Sequence, residues 1–347
     1  MNQLYKEAIS LLKKLIEIPS ISRNEGETAY IIEGFLKNKG FEVKRKHNNV
    51  WVEYINDESK PTVLLNSHHD TVKPVSSWLK EPFMPIVENG KLYGLGSNDA
   101  GASLVSLMMT FVHLSKQKDS SYNYIFLASA EEEVSGVNGV SSVLPEFGKI
   151  DFALVGEPTG MDMAIAEKGL MVLDCTAKGK AGHAARDEGI NAILIAVDDI
   201  KKLENYQFER SSDFLGKVKL TVSQINAGSQ HNVVPETCTF VVDVRTNEHY
   251  SNKEVFKIID KLLKSEVKAR SFRLNSSSIP MEHEIVQKGG KLGLKSYGSP
   301  TLSDQALMGF PSVKIGPGDS ARSHTADEFI YLSEIENGIK TYIDLLT

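Results

Sequence analysis

The chain has 347 residues, 41% of them hydrophobic and 24% charged, with a formal net charge of -6. That length exceeds what one hydrophobic core usually serves, so two domains are expected. The mildly acidic balance excludes the basic face that nucleic-acid binding needs, and no stretch reaches the length of a membrane span.

Residues 1–20, MNQLYKEAISLLKKLIEIPS, carry apolar residues at helical spacing with charges between them. This predicts an amphipathic helix over 4–17, without the apolar core or cleavage site of a signal peptide. The cytoplasm is the expected compartment. Helices are predicted at 26–39 and 101–116, alternating with the strand-like runs VWVEYI, TVLLNS, YNYIFLAS and DFALVGE. Such alternation predicts a largely parallel sheet sandwiched by helices, with ligands bound beyond the carboxyl ends of the strands. Residues 168–276 then read strand (GLMVLDCTAKG), helix (191–206), strand (KVKLTVSQIN), strand (ETCTFVVDVRT), helix (252–265), strand (ARSFRLN). That is the β-α-β-β-α-β order of a ferredoxin-like α+β unit. SSSIPMEHE is a connector, and KSYGS, PSVKIG and a helix near 333–345 return to α/β patterning. One domain, 1–167 and 277–347, is thus interrupted by another, 168–276. Cys175 and Cys238 lie inside apolar runs and are expected as buried free thiols rather than a disulfide.

The strand ends carry the chemistry. TVLLNS runs into His68-His69-Asp70, and alternate residues of an extended chain share a face. His68 and Asp70 can therefore cooperate while His69 points away. A ligating imidazole usually hands its other N–H to a carboxylate, and Asp70 stands where such a partner belongs. Asp99 precedes a predicted helix and has an alternative reading as its N-cap. Gly94 and Gly96 lack the third glycine of a dinucleotide fingerprint and any Walker lysine. YNYIFLASA ends in Glu131-Glu132-Glu133, which is either a solvated loop or a set of buried acids that needs a cation. DFALV ends in Glu157, and His324 follows a glycine-proline loop. Imidazoles and carboxylates without cysteine make a zinc-type donor set with open positions, and a carboxylate can bridge two metals.

SHHDTV, YGLGSNDAGAS, EEEVSG, VGEPTG, GKAGHAA, NVVP, DVRT and GPGDSARSH occur in the order and spacing of the di-zinc amidohydrolases and exopeptidases. The chain resembles that metallopeptidase family along its whole length. The family includes acetylornithine deacetylase, succinyl-diaminopimelate desuccinylase, aminoacylase and glutamate carboxypeptidase. The resemblance implies two zinc ions per subunit, with cobalt a possible substitute. His68 and Glu157 would hold one, Glu133 and His324 the other, and Asp99 would bridge them. Asp70 would orient His68, and Glu132 would be the general base. The inserted unit would be a lid and dimerisation domain. Its His183 would reach the partner subunit's site, and Asn232 and Arg245 would grip a substrate carboxylate. Gly316, Pro317 and Gly318 would line the substrate side. Leu95 stands where the family usually has arginine, Gly101-Ala102 where it has lysine-glycine, His69 for an apolar residue and Ser67 for a glycine. These departures bear on pocket shape.

The implied reaction is hydrolysis of the amide bond of an N-acyl amino acid in arginine or lysine biosynthesis. N-acetyl-L-ornithine is the first expectation, with N-succinyl-L-ornithine and N-acetyl-lysine beside it. Lys168, Arg186 and Arg322 are candidate cations for a succinyl carboxylate. A dipeptidase or carboxypeptidase of the same family is the alternative within the enzyme class. A non-catalytic binder of amino-acid derivatives would have no use for Glu132 as a base. A serine hydrolase built on Ser303 and Asp304 lacks the strand–nucleophile–helix elbow.

Overall fold

A computed structural model of the chain describes residues 1–117 and 119–347. In chain order its main elements are α1 (Asn2–Ile16), α2 (Gly26–Asn38), β1 (Asn49–Tyr54), β2 (Thr62–His68), α3 (Ala102–Leu114), β3 (Asn123–Ser129) and β4 (Phe152–Val155). There follow β5 (Gly169–Lys178), α4 (Ala192–Asn205), β6 (Lys219–Ala227), β7 (Thr237–Thr246), α5 (Asn252–Leu262), β8 (Glu266–Ala269), β9 (Ser312–Lys314) and α6 (Leu332–Leu346). The chain divides into two compact units: residues 1–165, 278–297 and 303–347, and residues 166–277 with 298–302.

In the first unit the sheet runs β1-β3-β2-β4-β9 through its centre. β2 pairs parallel with β3 and β4, β4 parallel with β9, and β1 antiparallel with β3. These strands are continuous apolar runs because both faces are covered. Val63, Leu65, Phe126 and Leu154 pack on one side with α1, α2, α3 and α6. Leu64, Ile125, Leu127 and Val155 form a smaller core on the other, with Val140, Val143 and Met308. Nearly every side chain of α3 is buried. A small three-stranded sheet (Ile86–Glu88, Lys91–Tyr93, Phe329–Tyr331) and a helix at Glu284–Lys291 had no counterpart in the sequence reading. Their strands are too short, and their apolar residues too few, to show a period.

The second unit is a four-stranded antiparallel sheet in the order β6-β7-β5-β8, with α4 and α5 packed on one face. β5 and β7 alternate strictly between buried and less buried residues, as half-covered strands do. Cys175 and Cys238 face this core as free thiols. The last strand falls at Glu266–Ala269, ahead of most of ARSFRLN, and α5 ends at Leu262. The reason is Asp199. Its buried carboxylate accepts the amides of Lys264 and Ser265 at 2.9 and 2.8 Å, which stops the helix and sets Val267 into the core.

Candidate metal centre and active site

β2 delivers His68, β3 the Glu131–Glu133 turn, β4 Glu157, and the loop before α3 Asp99. Each is carried beyond an apolar run that the core holds in place. The structure brings these side chains together. His68 Nε2 lies 3.3 Å from Asp99, 3.7 Å from Glu157 and 4.0 Å from Glu132. His324 Nε2 lies 2.9 Å from Glu133 and 3.6 Å from Asp99. Ligand atoms of His68, Asp99 and Glu133 fall within 4.8 Å of one another, as do those of His68, Glu132 and Glu157.

The bland readings fail here. α3 begins at Ala102 with no side-chain cap, so Asp99 is not an N-cap but faces both histidines. Glu131 is buried and binds Asn138 Nδ2 at 3.1 Å, and the carboxylates of Glu132 and Glu133 are largely shielded. His69 points away from the site. Its Nδ1 meets Thr28 Oγ1 and its Nε2 the carbonyl of Asn48, both at 2.9 Å, and burial lowers its pKa to about 4. Its neutral ring fastens α2 to the strand end. Ser303 caps a short turn through the amide of Gln305 at 3.4 Å, which is a structural use of that hydroxyl.

Asp70 acts more widely than as a partner for histidine. His68 Nδ1 donates to the Asp70 backbone carbonyl at 2.9 Å, while the carboxylate stands off at 3.5 Å. In the neutral ring that bond keeps the proton on Nδ1 and turns the Nε2 lone pair toward the acids. The Asp70 carboxylate accepts the amides of Glu132 and Glu133 at 3.0 and 3.2 Å and the Ser22 hydroxyl at 2.6 Å. Burial alone would raise its pKa, but His68, Ser22 and these amides hold it below the usual value.

Glu328 and Lys314 escaped the sequence reading, and Asp304 entered it only with Ser303 in the serine-hydrolase alternative. Glu328 is buried and accepts the amides of Gly96, Asn98 and Asp99 at 3.1, 2.8 and 2.9 Å, fixing the loop that presents Asp99. Burial, with Asp99 adding, raises its pKa to about 8. Asp304 is buried with Ser129 Oγ at 2.5 Å and is raised to about 6, mainly by burial. Lys314 is buried on β9, and its charge partly offsets the burial that raises Glu157 to about 8. The second of the two acids in DEF was the one signal for Glu328.

The Gly316–Gly318 segment is sewn to the turn after Glu157. The amides of Thr159 and Met161 donate to the Gly316 carbonyl at 3.1 and 2.9 Å, and that of Gly160 to Gly318 at 2.6 Å. Gly318 has φ 99°, and a Cβ there would lie 2.4 Å from Asn98 Oδ1, so no other residue fits. In the second unit, His183 and Asn232 are neighbours: His183 pairs with Val233, and the Ala184 amide donates to the Asn232 carbonyl at 2.9 Å. Arg245 lies on β7, bound to Asp243 at 2.8 and 3.1 Å.

The donor set fits divalent cations. Burial raises Glu132 well above its usual range, with Glu157, Asp304 and Glu133 adding, while His68 opposes. The Glu133 hydrogen bond chiefly raises His324 to about 9. His68 is also raised well above its usual value: burial opposes this, but Glu157, Asp70, Asp99 and Glu132 prevail. So many acids around two imidazoles take up protons unless a cation neutralises them. Histidine with carboxylate is a set that zinc and its neighbours accept.

The comparisons agree with this geometry. Residues 64–347 match the model of peptidase family M20/M25/M40. The chain is 27% identical to the succinyl-diaminopimelate desuccinylase of Wolbachia pipientis over 291 residues, 78% of this chain and 72% of that one. It is 26% identical to a peptidase M20 domain-containing protein of Schizosaccharomyces pombe over 349 residues, 96% of this chain and 82% of that one. In fold it is similar to aminopeptidase PepT of Bacillus cereus (TM-score 0.77, 17% identity, 99% of this chain and 98% of that one). A metallo-carboxypeptidase of Sulfolobus solfataricus also shares the fold (TM-score 0.73, 18% identity, 98% of each chain). With histidines and acids gathered at the strand ends and the match running to the last residue, the chain belongs to the M20/M25/M40 family of metallohydrolases.

Proposed function

We propose that the protein hydrolyses the amide bond of an N-acyl amino acid. N-acetyl-L-ornithine is the first candidate, then N-succinyl-L-ornithine and N-acetyl-lysine, in arginine or lysine biosynthesis in the cytoplasm. The observation that carries this reading is a largely shielded Glu132 carboxylate beside the His68–Asp99–Glu157 and His324–Glu133 groups, with the Glu132 amide held on Asp70. The desuccinylase names among the relatives support the acyl amino acid class.

His68 and Glu157 would hold one metal and Glu133 and His324 the other, with Asp99 between. Zinc, or cobalt in its place, would supply Lewis-acid polarisation of the acyl carbonyl and of water when bound there. Glu132 takes a proton from the attacking water, and oxygen adds to the acyl carbon. The C–N bond then breaks as Glu132 returns the proton to the leaving nitrogen. A carboxylate and a free amine result. Asp70 keeps His68 and the Glu132–Glu133 turn aligned through each step. Arg245 and Asn232 take the α-carboxylate, Gly316, Pro317 and Gly318 line the substrate side, and His183 donates to the developing oxyanion.

The second unit also serves as a homodimer interface. β6 is an edge strand with most of its residues exposed, including Ile225, and such an edge can pair with a second copy. If His183 acts across that dimer, mixing the inactive His183→Ala and Glu132→Gln variants restores activity. A mixture that exchanges subunits and stays inactive confines His183 to its own subunit.

The test of function is amine release by the zinc-loaded protein, with and without chelator. The panel holds N-acetyl- and N-succinyl-ornithine, N-acetyl-citrulline, N-acetyl-lysine, succinyl-diaminopimelate and several dipeptides. Chelator-sensitive turnover of one acyl amino acid upholds the reading. Preference for dipeptides moves the protein to the peptidase side. No turnover at all leaves a binding protein.

A further inference from the structure

In the first unit, the loop of Asp99 and the turn of His324 meet on one side chain, that of Asn98. It is fully buried. Its Oδ1 accepts the amide of Asp319 at 3.0 Å. Its Nδ2 donates to the carbonyl of the same residue at 3.1 Å and to Ser323 Oγ at 3.4 Å. A carboxamide can do both because it carries an acceptor and a donor on one plane. Asn98 thus grips the Asp319 backbone as a neighbouring strand would. Its own amide is held on Glu328 at 2.8 Å. Glycine at 318 allows the close approach, since a Cβ there would meet Asn98 Oδ1 at 2.4 Å.

What is anchored at Asp319 is carried to His324. The Asp319 carboxylate accepts the Ala321 amide at 2.9 Å. The Arg322 amide donates to the Asp319 carbonyl at 2.9 Å, and the Ser323 amide to the Ser320 carbonyl at 3.2 Å. These bonds wind residues 319–323 into a tight turn that ends at His324. His324 has φ 58°, a left-handed conformation that a residue with a Cβ keeps only where its surroundings enforce it. Arg322 fastens the turn to the start of α6, bound to Glu334 at 2.7 and 3.1 Å and stacked 4.7 Å from Phe329. Asn98 fastens it to the residue beside Asp99. Asp99 itself is held separately, by its amide on Glu328 at 2.9 Å.

We propose that Asn98 is a positioning residue for one metal of the pair, the one assigned to Glu133 and His324. It sets the His324 imidazole against Asp99 by tying the two backbones together. Without its carboxamide, Asp99 keeps its place beside His68, while the His324 turn can draw back from it. The position between His68 and Glu157 is then little affected. Glu328 differs, because it holds the Asp99 loop on which both positions depend. This rests on the two-metal reading of the site and holds whatever the substrate.

The test strips the full chain of metal and titrates it with zinc against a chelating dye, so that each binding step per subunit is read separately. In Asn98→Ala one step should weaken about 10- to 100-fold, the usual cost of losing a partner behind a ligand. The other should stay within about twofold, the margin for independent sites. His324→Ala identifies the affected step by removing it. Adding Asn98→Ala to that variant should leave the remaining step where it was. If Asn98→Ala does not fold, Asn98→Ser replaces it. Its hydroxyl keeps a polar group in the buried position but ends one bond short of Asp319, and the same one-step loss is expected. The proposal is overturned if both steps stay unchanged, if both weaken equally, or if the remaining step weakens in the double variant. A wild type that binds fewer than two ions overturns the two-metal reading, and the proposal with it.

Discussion

Asp70 and Glu328 both aim their carboxylates at backbone amides, and between them they place most of the candidate metal-binding groups. Asp70 ties the His68 strand end to the Glu132–Glu133 turn, and Glu328 ties down the loop of Asp99. Glu328→Gln replaces one accepting oxygen with a donor facing amide hydrogens. Metal affinity should then fall about 10- to 100-fold, the usual cost of losing a partner behind a ligand, as read by competition with a chelating dye. Unchanged affinity would show that the Asp99 loop stands without it. Glu132→Gln tests the base. Bound metal, measured by elemental analysis, should stay the same while turnover drops by roughly 10²–10⁴. Near-normal turnover would remove Glu132 from that role.

Among the elements, α4 and the start of β8 are joined through Asp199, which also pairs with Lys202 at 2.8 Å. Burial would raise its pKa, but Lys202 and the Lys264 and Ser265 donors hold it below the ordinary value of 3.8. The sign follows directly. The unfolded chain binds a proton more readily than the folded one, so this stabilisation is present above pH 3.8 and is lost as pH falls through the lower folded value. Asp199→Asn should destabilise the second unit by about 1–3 kcal/mol at neutral pH, because buried amides lose their charged acceptor. The deficit measured in urea melts should shrink as the pH is taken below 3.8. The positions of α1, α2, α3, α4 and α6 were legible to within a few residues, since their apolar periodicity is local. The end of α5 and the start of β8 were not, because Asp199 acts on them from 65 and 66 residues away.

At the scale of the whole molecule, the site concentrates acid where the sheet would otherwise be apolar. In the metal-free protein, Glu157 and Glu328 hold protons up to about pH 8, while in the unfolded chain they titrate near 4.5. The folded state therefore binds more protons over that window, and stability falls as pH rises through it. Metal that neutralises the cluster removes this dependence. Melting temperature with and without chelator should diverge steadily between pH 5 and pH 8, with the chelated protein the less stable. Parallel curves would mean that the acids are neutralised in another way. The sequence by itself determined the α/β architecture and which residues stand at strand ends. Apolar runs announce buried strands, and the first polar residues after them are local facts. It also carried the ordered motifs on which the family resemblance stands. Tertiary structure alone decided the partners. Asp70 reaches the Glu132 and Glu133 amides across 62 and 63 residues, and Glu328 reaches Asp99 across 229. A local pattern reports how each segment meets solvent and core. Which distant carboxylate holds which amide is settled only when packing brings the strand ends together.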